Sequence, residues 1–254
     1  MSSGDKARYF IRLPKNCGLY KMYPPLVKEV CSNEFFGQYQ KILTITQEEI
    51  EDDIYERVPE EEQKREDFRI PTPFEFLFAF ASMSKEALIL TQEAFKFFIH
   101  EDVTLLPDMG YIIIGDLKDI LPTLTSLDDL RIIKAENYFD FQNEVRGSMG
   151  MEAIKPYEPE KNEKIRRMKA KARYRDRVKA KNGNGISLET TLSSICCMGI
   201  GITPLNVGEL SYASLDMLMQ RRQMKESYEL DIQSLLAGAD SKKVKPKYWI
   251  KNLD

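Results

Sequence analysis

The residues best equipped to do chemistry in this chain are cations. Between Lys161 and Lys181 the stretch KNEKIRRMKAKARYRDRVKAK carries eleven Lys or Arg and only two acids, Glu163 and Asp176, a net +9. The whole chain is −3, so its remaining 233 residues carry −12. Ammonium and guanidinium groups at this density do one kind of chemistry, the neutralisation of anions. Three targets fit: a polyanion such as nucleic acid, an acidic surface on a partner protein, or acids elsewhere in the same chain. The candidate partner-binding cations are Arg166, Arg167, Lys169, Lys171, Arg173, Arg175, Arg177, Lys179 and Lys181, with Tyr174 available for stacking.

Written as a helix, residues 161–181 span about 30 Å at ~1.5 Å per residue. Ile165, Met168 and Ala172 fall at i, i+3 and i+7, and Tyr174 and Val178 at i and i+4, an apolar stripe too thin to bury the helix in a core. The alternating cations spread around the cylinder. Arg173 with Arg177, Arg175 with Lys179, and Arg177 with Lys181 repel at i, i+4, so the isolated helix is disfavoured until an anion relieves it. The segment is therefore expected to be an exposed or partner-bound arm. Its complement in charge is residues 48–67, with eleven acids against three basic residues. That run is expected to be a solvated helix and loop, or else the arm's own partner.

Enzymatic chemistry finds little support. Cys17 and Cys31 are far apart and Cys196-Cys197 are vicinal, so no metal-ligand spacing appears and no cofactor is implied. The vicinal pair reads as small packed side chains. His100, the only histidine, ends the pattern EAFKFFIH and is expected to meet helix C-terminal carbonyls. Gly199-Ile-Gly201 lacks the third glycine of a dinucleotide loop, and Gly183-Asn-Gly185 has no Lys-Ser/Thr after it. Asp52-Asp53 and Asp128-Asp129 read as helix-start acids, and no nucleophile is paired with a base.

The elements that must position the cations read as mostly α within an α+β class. Hydrophobic residues make up 43% of the chain, enough for a core. Arg8–Leu13 and Gly18–Tyr23 are expected to form a small hairpin or arm, and a helix to start near Pro25. Thr46 with Glu49 is a capping box, predicting a helix through Ile54 to Arg57. PFEFLFAFASM and the Ser84-capped KEALILTQEAFKFFIH predict two helices whose phenylalanines are core, not a base-stacking platform. Val103–Leu106 and Tyr111–Ile114 flank a Pro-Asp-Met-Gly turn and predict a β-hairpin. Ser126 is expected to cap a further helix, and Ala135–Arg146 another. EAIKPYEPEKNE reads as a linker and Asn182–Gly185 as a joint. Ser187, Thr203-Pro204 and Ser211 then open a helical unit that closes in SKKVKPKYWIKNLD. The expected organisation is a helical N-terminal domain with a small hairpin (1–150), a linker with the basic connecting helix (151–185) and a small helical C-terminal domain (186–254). No stretch reaches the ~20 apolar residues of a membrane span, and the first residues lack a secretory signal, so a cytoplasmic location is expected.

The run MGIGITPLNVGELSYASLDMLMQRRQMKE followed by K-x-K-Y-W-I-K-N-L resembles the tail-assembly chaperones of long-tailed phages infecting Gram-positive bacteria. The resemblance rests on Gly201, Ile202, Thr203, Pro204, Leu210, Leu215, Lys247, Trp249 and Lys251, within roughly the last 70 residues. It implies a helical, non-enzymatic protein of the infected host cytoplasm that binds the tape-measure protein and keeps that long helical chain soluble. Capture would use apolar grooves to which adaptable methionines such as Met217, Met219 and Met224 contribute, and Trp249 would join the partner-binding set. The basic arm would serve an acidic helical client. The alternative function is a nucleic-acid-binding accessory protein using 161–181. The acidic body and the missing recognition motifs place the protein partner first.

Overall fold

The computed structural model describes residues 3–65, 68–120, 122, 126, 130–182, 187–240 and 242–250. It is a mostly helical α+β structure with two small antiparallel sheets. Helix α1 (Ser3–Phe10) comes first, where a strand-like arm was expected, and it stops at Arg12, whose φ is 66°. The hairpin follows it, as β1 (Lys15–Asn16) and β2 (Lys21–Met22). Tyr9 explains the shift: on a helix it reaches the interior, fully buried, and donates to Glu144 at 2.8 Å. The helix expected near Pro25 is two, α2 (Val27–Ser32) and α3 (Phe36–Thr44), broken at Asn33, whose extended backbone and side chain turn the chain.

Helix α4 (Gln47–Arg57) begins at Thr46 with both capping-box bonds formed. A short α5 (Glu60–Gln63) leads to α6 (Pro73–Ala81), capped by Thr72 and Glu75, and then α7 (Lys85–Ile99), capped by Ser84. His100 closes α7 in the left-handed region (φ 60°), and its ring stacks on Tyr23 at 4.2 Å, so the backbone N–H meets a helix carbonyl, that of Lys96, while the imidazole serves an aromatic contact. Strands β3 (Val103–Leu106) and β4 (Tyr111–Ile114) pair as predicted, with Gly110 at φ +64° in the turn. A third strand, β5 (Ile132–Ile133), adds to β4 after α8 (Leu117–Ile120). The helix expected from Ser126 falls largely outside the described residues.

Helix α9 (Ala135–Ser148) supplies the central aromatic surface. Phe141 stacks on Phe95 at 4.8 Å and meets Tyr20 edge-on at 5.4 Å, while Phe98, Ile99, Leu43 and Ile112 close the core around them. From the same helix Gln142 donates to the carbonyls of Leu43 (3.2 Å) and Ile45 (3.0 Å). A buried amide thus fixes the end of α3 and the direction in which α4 leaves.

Beyond residue 150 come α10 (Glu163–Asn182), α11 (Leu188–Cys196) and α12 (Tyr212–Leu236). The start of α12 is sewn to the N-terminal region. Tyr212 N–H donates to Pro25 at 2.7 Å, Val27 N–H to Leu210 at 2.9 Å, and Lys28 pairs with Glu209 at 2.8 Å. Ser211 opens α12 at the N-cap position as expected, and its hydroxyl donates to the Phe10 carbonyl at 3.3 Å. Val27 packs with Ile195 and Leu215 in a small second core. At Gly150 (φ +79°) a Cβ would lie 3.1 Å from the Ala213 backbone, so only glycine allows this approach.

Candidate helix-pairing site

Helix α4 repeats acids and one aromatic at helical spacing: Glu48, Glu51 and Asp52, then Tyr55. Steps of three and four residues place these on one face. Helix α10 answers with Arg166, Ala170, Arg173 and Arg177, again separated by four, three and four residues. The two faces are in contact, and Ala170, fully buried, gives the close approach. The stripe that α10 buries is therefore charged, with one small apolar residue in it.

The ion pairs form a ladder. Arg166 binds Glu51 through Nη2 at 2.6 Å and Nε at 2.7 Å. Arg173 binds Asp52 at 2.6 and 2.9 Å, Glu51 at 3.2 Å and Glu48 at 3.4 Å. Arg177 reaches Asp52 at 3.1 Å, with Glu49 and Asp53 each at 3.6 Å. Planar guanidinium forks suit this bridging, since each offers five donors to several carboxylates. The aromatic end is closed too. Tyr55 donates to Glu163 at 2.6 Å, and the guanidinium groups of Arg166 and Arg167 each lie 5.9 Å from its ring. Tyr157, from the expected linker, donates its hydroxyl to Glu51 and accepts from Arg166 at 3.4 Å. The linker is irregular but pinned: Arg146 donates to the Glu152 carbonyl at 2.7 Å, and Ile154 N–H to Asn143 at 2.6 Å.

Burial sets the electrostatics. Asp52 is 1% exposed and Glu51 2%, correcting the expectation of a solvated acidic face. Nor is Asp52 a helix-start acid, since it sits in the second turn and points into the seam. Burial raises the Asp52 carboxyl above its ordinary range, and the guanidinium groups of Arg173 and Arg177 offset only part of that. For Arg173, burial pulls down while the hydrogen bond to Asp52 pushes up, with a net rise. The two partners thus differ in sign about the pair. The carboxyl, much the more enclosed of the two, governs: the ladder is a desolvated arrangement held by geometry, not a strong net source of stability.

The candidate cations divide by face. Arg166, Arg173 and Arg177 are in the ladder, Arg167 and Lys171 pair with Glu60 at 3.4 and 3.8 Å, and Lys169 pairs with Glu160 at 2.6 Å. Tyr174 is half-buried. Arg175 and Lys179 are exposed on the opposite side. The side chain of Lys181 lies outside the described residues. Met217 is half-buried on α12, and the carbonyl of Trp249 accepts from Arg221 at 3.1 Å. Neither touches the ladder. Sequence reasoning offered residues 48–67 as the arm's own partner, which the ladder bears out, but did not single out Glu51, Asp52 or Tyr55 within it and missed Tyr157 and Ala170. Their signal is the matched three- and four-residue spacing in two helices of opposite charge.

A second feature lies at the seam between the N-terminal core and α11–α12. It is a groove of about 490 Å³ lined by Met149, Met151, Leu188, Leu215 and Met219, with Gln40, Gln220 and Gln223 at its polar edges. Among the described residues no helix is long and apolar enough to cross a membrane, and no group of three or more His, Cys, Asp or Glu is arranged to hold a metal.

Neither a curated protein nor a solved structure matches the chain. A family model described as the YomV second domain matches residues 178–254, and that family is phage-associated. The match starts one residue after Arg177, so every ladder residue precedes it, while Lys179, Lys181, Met217 and Trp249 fall inside it. The C-terminal third is thus similar to a phage-associated domain, which supports reading the chain as a phage-related protein.

Proposed function

We propose that this protein is a non-enzymatic phage assembly factor that binds a helical protein client, the tape-measure protein during tail assembly. The observation that supports this over nucleic-acid binding is the closed ladder. Arg166, Arg173 and Arg177, the side chains best shaped for phosphate, are already held by Glu51 and Asp52. The methionine-lined groove is the client's seat. Flexible thioethers accept the apolar face of an amphipathic helix without demanding one shape. The test is co-expression with the tape-measure protein of the same phage. Stable co-purification that is lost on Met219→Lys, with the fold intact by circular dichroism, supports the proposal. Failure to co-purify with that protein overturns it.

A further inference from the structure

Helix α10 has a second charged edge. Lys164, Met168, Ala172, Arg175 and Lys179 succeed one another at steps of three or four residues, so they share one side, opposite Ala170 and the arginine ladder. All are exposed, Met168 to 66%. Among the described residues, none of the cations on this edge has a carboxylate within ion-pair distance, whereas the inner edge is fully engaged. The two edges have the same spacing and the same sign of charge, and one of them holds an acidic helix.

We propose that the outer edge of α10 docks an acidic amphipathic helix of a partner protein. Its acids would recur every three or four residues, with apolar side chains between them to meet Met168 and Ala172. Charge complementarity commits the site to this occupant, because the inner edge shows what fits a cation row of this period on this helix: Glu48, Glu51 and Asp52 of α4. A phosphate backbone fits less well. It offers nothing to the methionine, and it would approach a body that is net negative outside residues 161–181. A membrane fits less well too, since the edge has one large apolar residue and no aromatic to insert. The proposal rests on reading the protein as protein-binding, but it uses a surface separate from the groove.

The test uses the full chain and a fluorescein-labelled helical peptide of about 20 residues, long enough to lie along the ~30 Å of α10. It carries Glu at three- and four-residue steps with Leu between. Oligothymidine and phosphatidylserine vesicles are the competing probes. Saturable binding of the peptide is expected, and the triple variant Lys164→Glu, Arg175→Glu, Lys179→Glu should weaken it about tenfold, the worth of three surface ion pairs. The neutral triple, with Gln at the same positions, should weaken it less and guards against a folding defect, read by circular dichroism. Unchanged binding by both triples, or tighter binding of oligothymidine or vesicles than of the peptide, overturns the proposal. Peptide binding and client co-purification are measured independently, so failure here and failure of the client reading are separable.

Discussion

Arg173→Glu is the sharpest probe of the ladder. Arg173 is its central rung, donating to Asp52 at 2.6 Å and lying within 3.2 Å of Glu51 and 3.4 Å of Glu48. Losing a charge-assisted bond to a buried carboxylate costs about 1.5–3 kcal/mol. Because 32% of the Arg173 side chain is exposed, solvent screening places the loss at the lower end. The new carboxylate then faces three acids, two of them buried, which brings the total to about 3 kcal/mol, or roughly a hundredfold in the open population of α10. Trypsin reads this directly, because α10 is dense in Lys and Arg and a docked helix resists cleavage. Mass spectrometry should show cuts within 164–179 appearing far faster in the variant, at protease concentrations where opening is in equilibrium. The conservative Arg173→Lys keeps charge but loses the fork and should fall between. Equal cleavage of Arg173→Glu and the parent would refute the view that the ladder holds α10.

Other outcomes follow from the same geometry. Glu51→Gln with Asp52→Asn should free the three ladder arginines, so that oligothymidine binding appears with a log–log salt slope of about −2 for three contacts, as anisotropy titrations at several salt concentrations would show. Ala170→Leu should force the helices apart and cost about 1–3 kcal/mol, seen as faster trypsin cleavage of α10 with the aromatic core still folded. Gly150→Ala should lower the melting temperature, because alanine disfavours φ +79° and its Cβ would press on the Ala213 backbone, at a cost of about 1–3 kcal/mol. Glu75 is held below the usual carboxylate range by the Thr72 backbone N–H first and then by Arg69. Its stabilisation is therefore present above the unfolded-state value and lost as pH falls through the depressed folded one. Glu75→Gln should flatten that acid limb in a melting-temperature profile against pH.

Local signals carried well from sequence to structure where a side chain answers its own backbone. Thr46 with Glu49, and Ser84, start helices where their spacing says, and Pro107 with Gly110 turns the hairpin. The aromatic helices α6 and α7 were legible because their apolar spacing matches one buried face. The ladder was not, because amphipathicity arguments take charge as the mark of a solvated face, and α4 and α10 bury their charged faces against each other. The apolar stripe of α10 turned out to be outward, with Ile165 43%, Met168 66% and Val178 40% exposed. Helix α1 and the two-residue β5 escaped for a different reason: each is decided by tertiary contacts, Tyr9 with Glu144 and Ile133 with Ile112, which no local window contains.

The ladder also has a chronology. Asp52 and Arg173 are 121 positions apart, and synthesis delivers the N-terminal partner first. Almost all of the aromatic core lies before residue 150, with Ala213 its later member, so most of that core is available while Arg166, Arg173 and Arg177 are still unmade. Through that interval Glu51 and Asp52 stay hydrated on a nascent surface of one sign. The growing chain is thus self-repelling and acidic until its cationic helix emerges. Helix α10, made before α11 and α12, converts a solvated surface into a buried seam.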